Sequence, residues 1–169
     1  TTITKHPNTM VFDLFDENDL KIDSITVYSI GGGSIEIENQ KIEDSTLTIF
    51  VSRHYPNAEK KSSGLYILQH THSQGVKAEY GDTISVYYSV SDTLNNVLDK
   101  NTNGKPFEFV LGDDGLIAGW SEGLSYMKKG EKMRILIPSK IAYGEAGYVA
   151  IAPYTPLIFD LNLVEVKKR

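Results

Sequence analysis

The sequence lacks cysteine altogether, which excludes disulfide bonds, thiolate ligands for zinc or iron–sulfur clusters, and a thiol nucleophile. It also lacks a run of about eighteen apolar residues, the length that a membrane-spanning helix requires, so we expect no membrane span. Acidic side chains outnumber basic ones by 22 to 17 and no basic cluster is present, so we expect no nucleic-acid partner. The hydrophobic content of 40% is typical of a globular protein.

The acidic excess is confined to the beginning of the chain. Residues 1–60 contain 10 acidic and 5 basic side chains, whereas residues 61–169 contain 12 of each. A chain of 169 residues fits one domain of about 100–150 residues with an appendage. The sequence begins with Thr1 and has no apolar signal core, so we expect that any targeting segment has been removed. Localisation stays open between the cytoplasm and a bacterial cell envelope (periplasm).

Residues 1–50 have the alternating pattern of a small β appendage. Apolar and polar residues alternate over "TMVFDLF" (Thr9–Phe15), over "KIDSITVYSI" (Lys21–Ile30) and again over "SIEIE" (Ser34–Glu38). The turn residues "DEND" and the triplet "GGG" separate these runs. The pattern predicts an antiparallel meander of about three strands, which is too small to bury a core without a partner surface.

Residues 51–63 are predicted to be a linker, because "RHYPNAEKKSSG" collects Pro, Asn, Lys and Ser. Residues 64–169 are predicted to form the main domain. One segment, "LIAGWSEGLSYM" (Leu116–Met127), has apolar residues at helical spacing. Five strands are predicted, over Leu65–His70, Asp82–Val90, Pro106–Leu111, Lys132–Pro138 and Pro156–Val166. These elements predict an α+β fold, in which an antiparallel sheet covers its apolar face with a single helix.

The residues of this main domain, in their order, resemble the FKBP-type peptidyl-prolyl cis-trans isomerases. The resemblance covers about residues 64–167, and its segments are "GDTISVYYS", "LD" (Leu98–Asp99), "KPFEFVLG", "LIAGW", "EGLSYMKKGEK", "AYGEAG" and "PLIFDLNLVEV". It implies a twisted antiparallel β half-barrel of about five strands, wrapped around one short helix.

The resemblance also implies an apolar aromatic cup that binds proline. Trp120 is implied to form its floor, and Tyr143 of "AYG" is implied to put a hydroxyl on its rim. The implied catalytic residues are Tyr88, Asp99, Tyr143 and Phe159. The implied substrate-binding residues are Leu98, Phe107, Leu116, Ile117, Trp120, Ala142, Tyr148 and Ile151. The resemblance implies neither a metal ligand nor a cofactor.

The implied chemistry is rotation about an X–Pro peptide bond. Rotation must break the amide conjugation, at a cost of roughly 18–20 kcal/mol, and the twisted amide has less charge separation than the planar one. Apolar surroundings therefore disfavour the planar ground state relative to the transition state. The implied partners are proline-containing client polypeptides, whose folding the enzyme assists, and macrolide ligands.

Several positions depart from the usual residues of this family. Leu98 stands where an aromatic residue is usual, and Gly115 replaces an acidic residue. The loop "KNTNGK" has no counterpart of a common basic residue, and Ala152 stands where proline is frequent. Binding tolerates such changes more readily than transition-state stabilisation does. The alternative function is therefore a non-catalytic or weakly catalytic module that binds proline-containing segments or acts as a chaperone.

Two features lie outside this resemblance. Residues 6–35 resemble a fragment of the bacterial iron–sulfur L-serine dehydratases, but they carry no cysteine to bind a cluster, so dehydratase activity is not implied. The run "HTH" puts His70 and His72 on one side of a strand, a spacing that two metal ligands use. No third ligand is near them in the sequence, and two surface histidines at a strand end are the favoured interpretation.

Overall fold

The structure, a computed structural model, describes residues 9–15, 21–28 and 35–169, with side chains from residue 39 onward. The chain divides into two compact units, residues 1–42 and residues 43–169. The described strands are β1 (Thr9–Phe15), β2 (Lys21–Tyr28), β3 (Glu59–Lys60), β4 (Tyr66–His70), β5 (Thr83–Ser91), β6 (Val97–Asn101), β7 (Phe107–Val110), β8 (Lys132–Ile137) and β9 (Leu157–Lys167). The described helices are α1 (Ile35–His54), α2 (Ala118–Ser125) and a single 3-10 turn (Ser139–Ile141). Neither described α-helix is both long and apolar enough to cross a membrane.

The first unit contains a hairpin of β1 and β2, which pair antiparallel with Thr9 opposite Tyr28. These two strands confirm the prediction from the alternating pattern. The predicted third strand over Ser34–Glu38 is wrong, because Ile35–His54 is one α-helix. The predicted turn at residues 16–19 and the glycine triplet lie outside the described residues.

Tertiary contacts explain why the later part of α1 is helical although its sequence is rich in β-branched residues. Leu47, Phe50 and Val51 are spaced three and four residues apart, so they lie on one side of the helix. Leu47 is 2% exposed and Val51 is 7% exposed. They pack against buried side chains of the sheet: Tyr66, Leu68, Leu136 and Ile158. This burial outweighs the modest helix propensity of the β-branched residues.

The segment predicted to be a linker, residues 51–63, contains regular structure. Helix α1 extends to His54, and β3 pairs antiparallel with β4. The division into a β appendage (1–50), a linker (51–63) and an FKBP-like domain (64–169) stays a prediction about which parts of the chain fold independently.

The second unit is built on a seven-stranded antiparallel sheet with the strand order β3-β4-β8-β9-β5-β6, in which β7 also pairs with β5. The longest pairing joins β5 and β9, from Thr83 opposite Lys167 to Ser91 opposite Ile158. The five strands predicted for this unit are confirmed as β4, β5, β7, β8 and β9, and the predicted helix is confirmed as α2. The sheet does not close on itself, so the described strands form the predicted twisted half-barrel around α2.

The main core lies between the sheet and α2. Ile84 and Val86 of β5, Ile135 of β8 and Leu163 of β9 are fully buried there, together with Leu124 of α2. Successive residues of a strand point to opposite faces of a sheet. The sheet therefore carries α2 on one face and the second half of α1 on the other.

Candidate active site

Two glycines allow α2 to lie close against β8. A Cβ atom at Gly119 would lie 2.4 Å from Cγ2 of Ile137, and one at Gly123 would lie 2.6 Å from Cδ1 of Ile135. These distances are too short for non-bonded carbon atoms, so larger residues would push the helix away from the sheet. The close approach holds Trp120, in the first turn of α2, in a buried position where it is 5% exposed.

Four aromatic rings surround Trp120. The centroid of its indole lies 5.9, 5.0 and 5.9 Å from the ring centroids of Phe107, Phe109 and Phe159. The planes of these rings are tilted from the indole plane by 17°, 23° and 29°, respectively. Tyr88 meets the indole edge-on at 5.5 Å. Such pairs contribute about 0.5–1.5 kcal/mol each beyond their burial. We call these five side chains the aromatic cup.

A hydrogen bond fixes the orientation of Tyr88. Its hydroxyl donates to Oδ2 of Asp99 at 2.7 Å, and Oδ1 of Asp99 accepts the backbone N–H of Lys100 at 2.8 Å. Burial, this hydrogen bond and the charge of Asp99 raise the pKa of Tyr88 to about 12. The phenol is therefore neutral at physiological pH, and it presents its ring to the cup in one orientation.

Tyr143 and Tyr148 form a second aromatic pair, with ring centroids 4.9 Å apart and an angle of 11° between the planes. Tyr143 packs against the same core as Tyr88. Burial and the charges of Tyr148 and Asp99 raise the pKa of Tyr143. Tyr148 and Ile151 exchange backbone hydrogen bonds of 2.9 and 2.8 Å, which fold this loop back on itself. The loop thereby keeps the half-buried Tyr143 covered by the exposed Tyr148.

Two hydrogen-bond donors at the start of α2 have no acceptor in the part of the chain that the structure describes. One is the backbone N–H of Ile117, the N-cap residue, whose carbonyl accepts the N–H of Trp120 at 3.0 Å. The other is the buried indole N–H of Trp120. The first N–H groups of a helix have no intrahelical acceptor. The Ile117 N–H is therefore available to a carbonyl oxygen of a ligand.

The structure brings most of the predicted site residues together. Ring contacts and one hydrogen bond link Tyr88, Asp99, Phe107, Trp120 and Phe159. Others pack against the same core or stack on a residue that does: Leu116, Ile117, Ala142, Tyr143, Tyr148 and Ile151. Leu98 is different, because it is 37% exposed on β6 and is not among the core side chains. The roles of these residues in binding and catalysis stay predictions.

Phe109 is a cup residue that the sequence analysis missed. Its ring lies 5.0 Å from Trp120 and also 5.0 Å from Phe107. The sequence "FEF" (residues 107–109) could have indicated it, because residues two apart on a strand lie on one face, so Phe109 shares a face with Phe107. The rings of Tyr88, Phe107, Phe109 and Phe159 thus lie around the indole of Trp120.

The chain matches a known family over its second unit. The family described as FKBP-type peptidyl-prolyl cis-trans isomerase matches residues 74–164. A peptidyl-prolyl cis-trans isomerase of Saccharomyces cerevisiae is 36% identical over 115 residues, which cover 68% of this chain and 28% of that protein. The FKBP-type peptidyl-prolyl cis-trans isomerase FkpA of Escherichia coli is 38% identical over 107 residues, which cover 63% of this chain and 39% of that protein. The chain therefore spans less than half the length of either relative.

Solved structures have the same fold. The crystal structure of FkpA from Escherichia coli matches with a TM-score of 0.66 at 32% identity, over 79% of this chain and 61% of that one. The peptidyl-prolyl cis-trans isomerase of Pseudomonas syringae pv. tomato matches with a TM-score of 0.68 at 28% identity, over 82% of this chain and 100% of that one. The predicted FKBP-like fold is confirmed. Because the family match covers more than half of the 169 residues, the chain belongs to the FKBP-type peptidyl-prolyl cis-trans isomerase family.

Proposed function

We propose that the chain catalyses the cis–trans isomerisation of X–Pro peptide bonds, with the proline ring held in the aromatic cup. The observation that carries the proposal is the position of Trp120 beneath four aromatic rings, one of which, Tyr88, is oriented by Asp99. Membership of the FKBP-type family supports the same activity.

Binding in the cup lowers the barrier by desolvation and by shape. The planar amide loses more hydration than the twisted one when it enters an apolar site, so burial raises the free energy of the ground state relative to the transition state. An acceleration of about a million-fold requires only ~8 kcal/mol of the 18–20 kcal/mol barrier. The mechanism needs neither a nucleophile nor a proton transfer.

Each part of the site has a proposed role. Trp120 forms the floor, and Tyr88, Phe107, Phe109 and Phe159 form the wall that excludes water. The N–H of Ile117 donates to the carbonyl oxygen of a residue that flanks the proline. The Tyr143 hydroxyl donates to a second carbonyl, and Asp99 orients Tyr88. Leu116, Ala142, Tyr148 and Ile151 supply further apolar contacts at the rim.

The proposed partners are proline-containing client polypeptides and macrolide ligands, to which the aromatic cup offers an apolar surface. We propose no nucleic-acid partner, because the net charge is −5 and repels phosphate. Leu98 is 37% exposed on β6 and stands where the family usually has an aromatic residue. We therefore expect Leu98→Phe to bind macrolides more tightly than the wild type.

A second candidate function is a proline-binding or chaperone module with little turnover. The observation that favours it is a set of exposed apolar side chains on β6, on β7 and on the rim loop: Val97, Leu98, Phe107, Tyr148 and Val149. Exposed apolar side chains of this kind offer contacts to unfolded segments. This surface needs no transition-state selectivity to hold a client.

The test is a prolyl-isomerisation assay on short X–Pro peptides with the whole chain, with and without a macrolide competitor. We expect catalysis that the macrolide inhibits. Phe107→Ala removes an exposed cup ring and is expected to lower kcat/KM by more than about tenfold. The matched control, Tyr80→Ala, removes an aromatic ring that is 54% exposed elsewhere and is expected to have no effect. Peptide binding without any acceleration would favour the second candidate function, and neither binding nor acceleration would exclude both.

The first unit has no proposed activity of its own. The resemblance of residues 6–35 to an L-serine dehydratase fragment stays a prediction, and residues 6–8, 16–20 and 29–34 lie outside the described residues. We propose that this unit is an appendage to the isomerase unit rather than a second enzyme.

A further inference from the structure

His70 and His72 lie at the end of β4, on the side of the molecule where β8 begins. Their ring centroids are 4.7 Å apart. His70 is half-buried, with its side chain 16% exposed, whereas His72 is exposed. Two imidazoles at this separation can bind one cation, because neutral imidazole nitrogen is a common ligand of divalent transition metals.

The third ligand comes from a distant part of the sequence. Glu131, at the turn between α2 and β8, has a side chain that is 2% exposed, and its Oε2 lies 2.8 Å from Nε2 of His70. One ligand atom from each of His70, His72 and Glu131 can be chosen so that all three lie within 4.8 Å of one another. Ligand atoms on a tetrahedral Zn²⁺ are roughly 3.3 Å apart, since each lies about 2.0–2.2 Å from the metal. Binding would therefore require the His70–Glu131 pair, at 2.8 Å, to open by about 0.5 Å and the exposed His72 side chain to rotate towards it.

Backbone groups hold the Glu131 carboxylate in place. Oε1 accepts the N–H of Ser73 at 2.9 Å, and Oε2 accepts the N–H of Lys128 at 2.8 Å. These two hydrogen bonds fix the position of the carboxylate beside His70. Its two backbone donors take the place of the outer-shell partners that orient metal ligands in proteins.

We propose that His70, His72 and Glu131 form a binding site for a divalent transition cation such as Zn²⁺, Ni²⁺ or Cu²⁺. The cation takes the place of the proton between His70 and Glu131, and water fills the position that faces solvent. Two imidazoles and one carboxylate favour these cations over Mg²⁺ and Ca²⁺, which prefer a shell of oxygen ligands.

The site would tie two segments of the second unit together. His70 and His72 follow β4, while Glu131 belongs to the turn that connects α2 to β8. A cation that binds the folded chain and not the unfolded one stabilises it by mass action. At a hundredfold excess over Kd, Zn²⁺ is expected to raise Tm by roughly 5–10 °C. The proposal is independent of the isomerase activity.

The affinity is expected to be moderate. Lys128 and Lys132 flank Glu131 in the sequence, and positive charge nearby opposes a cation. Three ligands also hold a metal less tightly than the four of a structural zinc site. We therefore expect a Kd for Zn²⁺ of about 1–100 µM, which is weaker than in zinc-finger peptides.

The test is calorimetric titration of the whole chain with ZnCl₂ and NiCl₂, with MgCl₂ as the comparison. His72→Gln removes one exposed ligand without touching the carboxylate, and is expected to weaken Zn²⁺ binding at least tenfold. The matched control is His54→Gln, which removes an exposed histidine on α1 and is expected to leave the Kd unchanged. Absence of Zn²⁺ binding at 1 mM, or Mg²⁺ binding as tight as Zn²⁺ binding, would overturn the proposal, as would equal effects of the two substitutions.

Nuclear magnetic resonance gives a readout that does not depend on a variant. Zn²⁺ is expected to shift the imidazole resonances of His70 and His72 and to leave those of His54 in place. A Zn²⁺-dependent shift of His54 with no shift of His70 would show binding elsewhere and would also overturn the proposal. Because the wild-type chain is used, loss of folding in a Glu131 variant cannot obscure the result.

Discussion

The carboxylate of Glu43 on α1 accepts two hydrogen bonds from Ser139, one from its backbone N–H at 2.6 Å and one from its hydroxyl. Ser139 is buried and begins the 3-10 turn, whose last residue precedes Ala142 and Tyr143. One side chain of α1 therefore holds the turn that leads to the rim tyrosine. The contact links a helix outside the family match to the proposed active site.

The Glu43 carboxylate predicts a specific pH dependence. Burial raises its pKa more than the hydrogen bonds from Ser139 lower it. Between the usual carboxylate pKa, about 4.3, and the higher folded value, the folded chain holds more protons than the unfolded one, so the free energy of unfolding falls as pH rises through this window. Glu43→Gln removes this dependence. Urea denaturation at about pH 4, 5, 6 and 7 is expected to show the wild type losing stability relative to the variant as pH rises.

The control for this experiment is Glu145→Gln, which changes an exposed glutamate on the rim loop. The free energy of unfolding of this variant is expected to change with pH in the same way as that of the wild type. The burial of an ionisable Glu43 at this contact would be contradicted by either of two results. One is that the free energy of unfolding of Glu43→Gln changes with pH as that of the wild type does. The other is that the wild type gains stability relative to Glu43→Gln as pH rises.

Helix α1 is predicted to stabilise the second unit although it precedes the family match. Leu47 is 2% exposed against the outer face of the sheet, so Leu47→Ala is expected to cost about 2–5 kcal/mol. Arg53→Ala, on the exposed side of the same helix, is expected to cost less than about 0.5 kcal/mol.

We expect a fragment of residues 62–169 to fold but to melt at a lower temperature than a fragment of residues 43–169. We expect a fragment of residues 1–50 to show no cooperative melt. Equal melting temperatures for the two longer fragments would show that α1 contributes nothing.

Trp120 is the single tryptophan in the sequence, so its fluorescence reports on the floor of the cup. A proline-containing peptide or a macrolide that enters the cup changes the surroundings of the indole and is expected to change the emission. The measurement is a fluorescence titration paired with calorimetry on the same samples. Calorimetric saturation without any change of emission would mean that the ligand binds away from Trp120.

The activity is predicted to be nearly independent of pH between about 6 and 8, because the phenol of Tyr88, with a pKa of about 12, does not titrate there. Tyr143→Phe keeps the ring and removes one hydrogen bond of about 0.5–1.5 kcal/mol, so the rate is expected to fall no more than roughly tenfold. The measurement is kcat/KM against pH for both proteins, with circular dichroism as the folding control. A steep profile in this window, or complete inactivity of a folded Tyr143→Phe, would point to acid–base catalysis instead.

Phe159→Ala is predicted to reduce activity more than stability alone explains. Phe159 contributes a ring to the cup, whereas Leu163, four positions further on the same face of β9, is fully buried in the core and contributes no ring. Both alanine substitutions remove buried apolar volume and are expected to destabilise the fold by about 2–5 kcal/mol. Only Phe159→Ala is expected to lower kcat/KM, measured well below the melting temperature of each variant. An equal loss of activity in Leu163→Ala would assign the effect to folding.

The sequence by itself determined most of the sheet and the helix α2. In β5, Ile84, Val86, Tyr88 and Val90 lie at every second position, as do Leu157, Phe159, Leu161 and Leu163 in β9, and α2 repeats apolar residues at helical spacing. These patterns are local, because a strand or a helix with one buried face carries its period in a short stretch of chain. The cup residues were implied by the resemblance to the FKBP-type family; the structure brings the rings of Tyr88, Phe107 and Phe159 to Trp120, and their roles stay predictions.

The tertiary structure alone decided what depends on distant partners. "IEIE" (residues 35–38) alternates like a strand, yet it begins a helix. β6 is exposed along most of its length and has no apolar face to reveal it, so only its pairing with β5 identifies it. Glu131 joins His70, and Glu43 joins Ser139, across 61 and 96 positions of the sequence. Such contacts leave no periodic pattern in the sequence, because each joins two segments that lie far apart along the chain. The two segments meet only after the sheet has formed, and the local sequence does not show which partners they will have.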